Sequence, residues 1–159
     1  AGNPEELPDF CRAVEKAGGR AKLLPVGGGF HSPYMEEASQ AFLRVLQENG
    51  SRSPEIPVYA NRNGQPYGTS LEELLAAQMA HPVRWQDTLE QMAADGFTHF
   101  VEVGPGKTLS GFVKRTLPQA VCLHVEDADS LAQTVEALLP SFSSLSLHSH
   151  KTAQEELSI

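Results

Sequence analysis

The sequence predicts an α/β protein with a largely parallel sheet. Short apolar, β-branched runs alternate along the chain with segments that carry apolar residues at helical spacing. Two of the runs pass through a glycine-rich turn directly into a helix start: residues 23–26 through Gly27-Gly28-Gly29, and residues 98–103 through Gly104-Pro105-Gly106. Strands joined through helices in this way lie parallel, and the loops that follow them present chemistry at the end of the sheet.

Each element has its own signals. Asn3-Pro4-Glu5 opens the first helix with an N-cap residue, proline at the first helical position and acid in the first turn. Phe10, Val14 and Ala17 mark its apolar face, and Gly18-Gly19 stop it. Residues 20–26 read as a strand. Ser32-Pro33 cap a second helix whose stripe is Met35, Ala38, Phe42, Val45 and Leu46, and Asn49-Gly50 end it. Residues 56–60 read as a short strand before a turn over 61–68. Ser70 and Glu73 have capping-box spacing and begin a third helix that runs to about Met79. Pro82 interrupts the pattern, and a fourth helix carries Trp85, Leu89 and Met92 to a stop at Gly96. A strand over 98–103, a helix from Leu109 to about Arg115, a strand over 121–125 and a helix capped by Ser130 follow. Beyond Pro140 the serine-rich, polar composition predicts a flexible tail.

Composition limits what such a chain does. With 159 residues, 40% of them hydrophobic, it fits one domain, or one domain and part of another. The first residues enter a helical pattern at once, as though continuing from something longer. No apolar run approaches the ~18 residues that span a membrane, and no signal segment opens the chain. A formal charge of −8 argues against nucleic acid as a partner. Cys11 and Cys122 lack metal-binding spacing and read as free or buried thiols of a reducing cytosol. The expectation is a soluble cytoplasmic protein without a metal.

Four local features bear on chemistry. His31, between the three glycines and Ser32-Pro33, is placed where an imidazole can take a proton from a hydroxyl and return it within one turnover; taken alone, a histidine there also suits a structural role. Residues 102–108, Glu-Val-Gly-Pro-Gly-Lys-Thr, imitate a phosphate-binding loop. That loop needs a glycine at position 101, which is valine, and Pro105 removes a backbone donor. Nucleotide binding is therefore rejected, leaving a turn whose helix N-terminus favours negative charge. Residues 78–85, Gln-Met-Ala-His-Pro-Val-Arg-Trp, read locally as helix punctuation. The fourth feature is an absence: no serine has glycines two residues to either side, so the nucleophile elbow of an α/β hydrolase or acyltransferase is missing.

Four segments in this order resemble the C-terminal half of malonyl-CoA:acyl carrier protein transacylases and the related acyltransferase domains of polyketide synthases. They are Gly-Gly-Phe-His-Ser-Pro-Tyr-Met (28–35), Ile-Pro-Val-Tyr-Ala-Asn (56–61), Gln-Met-Ala-His-Pro-Val-Arg-Trp (78–85) and Glu-Val-Gly-Pro-Gly-Lys-Thr-Leu (102–109). The resemblance implies that residues 1–27 are the last helix and strand of a small ferredoxin-like subdomain. Residues 28–140 would be the C-terminal part of an α/β-hydrolase-like large subdomain, and 141–159 a tail. It implies a ping-pong transfer of malonyl from coenzyme A, through a serine, to the phosphopantetheine thiol of acyl carrier protein, with no bound cofactor.

By the same resemblance His31 is the general acid/base, and the backbone carbonyl of Gln78 orients it, as an aspartate does in a triad. Phe30 would favour malonyl, its ring filling the space of an α-methyl branch, a steric discrimination of ~1–3 kcal/mol. Lys107, Lys114 and Arg115 either form an ordinary solvated helix face or dock the acidic carrier protein. His81 stands where relatives often have asparagine and receives no role. The nucleophile and the arginine that pairs with the malonyl carboxylate belong to the N-terminal half, which becomes an expected partner; neither Arg62 nor Arg84 takes that arginine's place. Two other readings remain open: a carrier-protein-binding module without catalysis, and an acyl hydrolase using Ser110.

Overall fold

The computed structural model describes residues 1–139. The chain forms two compact units, Ala1–Gln91 and a second that begins at Met92. The division falls inside a helix. The predicted tail, residues 141–159, lies outside the described residues.

The first unit is helical. Helix α1 (Leu7–Lys16) starts later than its sequence signals suggest. Asn3 still organises the entry: its carbonyl accepts the Glu6 and Leu7 N–H groups, and its side chain accepts that of Glu5 at 3.1 Å. The apolar face of α1 is largely uncovered, with Phe10 65% exposed. Residues 20–26 form no strand, and residues 56–60 contribute only a single bridge, Tyr59 to Pro66. Both segments are apolar enough for a sheet, but a strand exists only against a partner strand that takes its hydrogen bonds. Among the described residues neither segment has one.

A 3₁₀ turn (Pro33–Met35) leads into α2 (Glu36–Asn49), and α3 (Leu71–Ala77) packs against α2. Met35, Ser39, Leu43 and Leu46 repeat at helical spacing and are the better covered side of α2, whereas Phe42 and Val45 of the predicted stripe stay exposed. The joint between the helices is polar at its centre: the buried Ser39 hydroxyl donates to the Ala76 carbonyl at 2.7 Å. The Ser70 capping box does not form, since no side chain caps α3. Helix α4 (Trp85–Ala94) supplies Leu89, 1% exposed and the one large side chain among the described residues that is fully enclosed.

The second unit holds the sheet, which is parallel as expected but has two strands among the described residues. Strand β1 (His99–Val103) pairs with β2 (Val121–Val125) in a register running from His99↔Val121 to Val103↔Val125. Helix α5 (Thr108–Thr116) crosses between them and packs on both. Residues 128–139 form a further helix, α6. Asp127 caps it by accepting the Ser130 N–H at 2.8 Å, while Ser130 Oγ accepts the Asp127 N–H at 3.0 Å. Ser130 is thus the reciprocal partner in the cap rather than the cap itself. No helix among the described residues is long and apolar enough to cross a membrane.

Candidate active site

In the first unit, the chain from Leu23 to Tyr34 lines an open cleft of about 1010 Å³ whose other wall includes Pro4 and Leu7. His31 lies on this cleft. It is the only non-glycine among the described residues with positive φ, at 58°. A branched or bulky residue held in the left-handed region costs free energy that its surroundings must offset.

The segment after α3 provides that support. The His31 N–H donates to the Met79 carbonyl at 3.0 Å, and His31 Nδ1 lies 2.8 Å from the Gln78 carbonyl oxygen. A carbonyl only accepts, so Nδ1 carries the proton and Nε2 is left as the accepting nitrogen. Gln78 is the C-cap residue of α3, where a helix leaves carbonyls without internal partners. His81 uses the same opportunity, its Nδ1 lying 2.7 Å from the Ala77 carbonyl oxygen.

The glycine run matters through close approach. A Cβ on Gly29 would stand 3.0 Å from Tyr34 Cβ and 3.2 Å from Ser32 Oγ, so only glycine lets the turn fold onto its own continuation without displacement. Ser32 occupies the cap position of the 3₁₀ turn, but its hydroxyl donates backwards to the Gly29 carbonyl at 2.5 Å and does not cap the helix. Phe30, 55% exposed, lines the same cleft beside His31. Sequence reasoning missed Ser39, whose hydroxyl fixes α3; a lone serine within an apolar stripe gave no local signal of it.

The second unit contains the Gly-Pro-Gly turn. Gly104 and Gly106 have φ of 138° and 86°. The Glu102 carboxylate accepts the Leu109 N–H at 3.1 Å, the Ser110 N–H at 2.7 Å and the Ser110 hydroxyl at 2.6 Å. The negative charge expected at this helix start is thus the chain's own, and the donors a phosphate would need are occupied. The Gly106 N–H is likewise taken, by Glu126 at 2.9 Å. Ser110 is 6% exposed and its hydroxyl is committed to Glu102, an arrangement for capping rather than attack on a substrate.

These bonds hold the Glu102 carboxyl below its ordinary value, first through the Ser110 hydroxyl and then through the Ser110 N–H. Glu126 is lowered mainly by the Gly106 N–H and Asp127 mainly by the Ser130 hydroxyl. For a depressed carboxyl the stabilisation is complete above the unfolded-state pKa and is lost as pH falls through the folded one. The second unit should therefore lose stability on acidification below the ordinary glutamate value of 4.5. Urea unfolding across that range should be measurably less pH-sensitive in Glu102→Gln; an unchanged acid response would exclude Glu102 as a contributor.

Lys107, Lys114 and Arg115 do not form one compact group. Lys107 is at the N-cap of α5 and the other two are in its last turn, ~10 Å further along the axis at 1.5 Å per residue. All three are exposed, and the Arg115 guanidinium lies over the Phe112 ring, 5.1 Å from its centroid. Arg84 pairs with Asp87 on the surface. Among the described residues no cluster of three or more His, Cys, Asp or Glu could hold a metal ion.

Residues 1–152 match the acyl transferase domain family. The chain belongs to that family. It is 38% identical over 114 residues to the malonyl CoA-acyl carrier protein transacylase of Synechocystis sp., covering 70% of this chain and 39% of that protein. The crystal structure of the Clostridium perfringens transacylase superposes with a TM-score of 0.78 at 32% identity, covering 88% of this chain and 45% of that one. A malonyl-transacylase solved in complex with its type II polyketide synthase acyl-carrier protein superposes with a TM-score of 0.79 at 29% identity, covering 86% and 45%. This acyl transferase chain thus spans less than half the length of the relatives it matches.

Proposed function

We propose that this chain supplies the histidine half of an acyl transferase that moves malonyl from coenzyme A to the phosphopantetheine thiol of acyl carrier protein. The observation that carries the reading is the 2.8 Å contact between His31 Nδ1 and the Gln78 carbonyl, which leaves Nε2 to accept a proton. In the first half-reaction a serine of a nucleophile-bearing portion attacks the malonyl thioester carbonyl while Nε2 takes its proton. The carbon–sulfur bond breaks and the coenzyme A sulfur leaves with that proton. In the second, the phosphopantetheine thiol gives its proton to Nε2 and attacks the malonyl ester. The ester carbon–oxygen bond breaks and the serine oxygen recovers the proton, so neither proton nor electron is gained overall.

Phe30, beside His31, is the residue that would exclude an α-branched acyl group. The exposed Lys107, Lys114 and Arg115 are the candidates for carrier-protein docking. Residues 1–27 are read as the end of a ferredoxin-like subdomain, residues 28–140 as part of a hydrolase-like one and 141–159 as a tail, a reading that rests on the resemblance of the four segments. The expected compartment is the cytoplasm.

On this reading the chain alone has no transferase activity. Incubated with malonyl-coenzyme A and examined by intact mass, it should show no malonyl adduct, and stoichiometric labelling would overturn the proposal. With a nucleophile-bearing portion supplied, transfer to acyl carrier protein should appear. In that assay the double substitution Lys114→Glu, Arg115→Glu should raise the carrier-protein KM about tenfold and leave malonyl loading intact. Unchanged kinetics would return these residues to the role of an ordinary helix face.

A further inference from the structure

We propose that Asn61 is a positioning residue for His31, acting through Gln78. The inference deepens the proposed function, since it concerns how the histidine of that reaction is held. Asn61 lies between the two partners of the Tyr59–Pro66 bridge, in a tight turn closed by the bond from the Ala60 N–H to the Gln65 carbonyl at 2.8 Å and that from the Gly64 N–H to the Ala60 carbonyl at 2.9 Å. From this braced turn it reaches both ends of the segment that faces His31. Its side-chain amide donates to Gln78 Oε1 at 2.8 Å, and its backbone carbonyl accepts the Arg84 N–H at 2.8 Å. One residue therefore clamps positions 78 and 84.

Gln78 passes the constraint on. Its side-chain amide donates to the Leu75 carbonyl at 3.1 Å, filling an acceptor left open by the last turn of α3. The side chain is consequently fixed at both its oxygen and its nitrogen, and the adjoining backbone is fixed with it. The carbonyls of Gln78 and Met79 are the two acceptors that hold the His31 ring and the His31 N–H. His31 sits at positive φ, so its orientation depends on those external bonds more than that of a residue in a relaxed conformation. The relay from Asn61 through Gln78 to His31 joins a residue of a polar turn to the ring without itself touching the ring.

The test reads the His31 ring directly, in the full chain and without substrate. Long-range ¹H–¹⁵N correlation at alkaline pH should show the wild-type ring in one tautomer, protonated at Nδ1. Asn61→Asp, which keeps the shape but removes the donor, should convert that signal to an average of both tautomers. Ser130→Ala, a cap deletion in the other unit, controls for general destabilisation and should leave the His31 tautomer fixed. Should Asn61→Asp fail to fold, Gln78→Leu removes the relay from its other side while keeping the backbone carbonyl at position 78, and the same averaging is expected. A His31 ring that stays protonated at Nδ1 in either folded variant overturns the proposal, as does equal averaging in Ser130→Ala. Failure of the functional reading would look different: a fixed tautomer that depends on Asn61, in a chain whose His31→Asn variant still supports full malonyl transfer.

Discussion

Replacing His31 with alanine should slow malonyl transfer about 10³-fold when the chain is assayed together with a nucleophile-bearing portion. The estimate follows from the contribution of a positioned general acid/base, typically 10²–10⁴-fold. In the ping-pong scheme His31 Nε2 moves a proton in both half-reactions, so loading and unloading should fall together. A loss confined to one of them would contradict the assignment. The positive φ at this position complicates the alanine variant, because alanine also resists the left-handed region. His31→Asn separates the two effects. Asparagine tolerates that conformation but cannot shuttle the proton. It should hold the wild-type melting temperature while losing activity as fully as alanine does. Restored transfer with asparagine would show that backbone geometry, and not the imidazole, was what the reaction needed.

The largest effect on stability should come from Leu89→Ala. Leu89 is 1% exposed on α4, and with Ala60, Ala76 and Ala80 it makes up the buried apolar residues of the first unit. Truncating a fully enclosed leucine leaves a cavity, so the cost should reach ~3 kcal/mol within the usual 2–5 kcal/mol range for such truncations. That is a large share of the ~5–15 kcal/mol by which a domain is stable. The chain's one tryptophan, Trp85, lies a single helical turn before Leu89 and reports on the event. Urea unfolding followed by its fluorescence should show the loss, and a change below ~1 kcal/mol would mean that α4 is not part of the cooperative core.

Much of the helical architecture was legible because its signals are local. The glycine stop at Gly50, the Pro33 start and the spacing of α5 need no distant partner to act. The pair β1 and β2 was legible as well, since each is a short apolar run flanked by turn residues. Residues 20–26 and 56–60 have the same look but do not become strands. An apolar run states only that a segment can pair; the partner lies elsewhere in the chain and leaves no trace in the run itself. Hydroxyl caps failed for a related reason. Ser32 meets the Gly29 carbonyl before any helix N–H, because the turn folds back on itself, and nothing in Ser-Pro foretells that geometry. At the site, His31 stood out by its glycine-rich setting. The Gln78 contact was implied only by resemblance, because 47 residues separate the two groups. The carboxylate at the α5 start was foreseen in sign but not in identity, Glu102 being eight residues from the serine it holds.

The acceptor that orients His31 belongs to the main chain. A carboxylate in that place would titrate, and a single codon change would erase it. A peptide carbonyl does neither. Whatever residue occupies position 78, an oxygen remains there to be aimed, so what His31 needs at this point is a path of the backbone, which the Gln78 side chain helps to hold. Variation that loosens His31 is then expected to accumulate at residues that steer the backbone around it, and genetic screens for inactive variants should recover such supports, Asn61 and Gln78 among them.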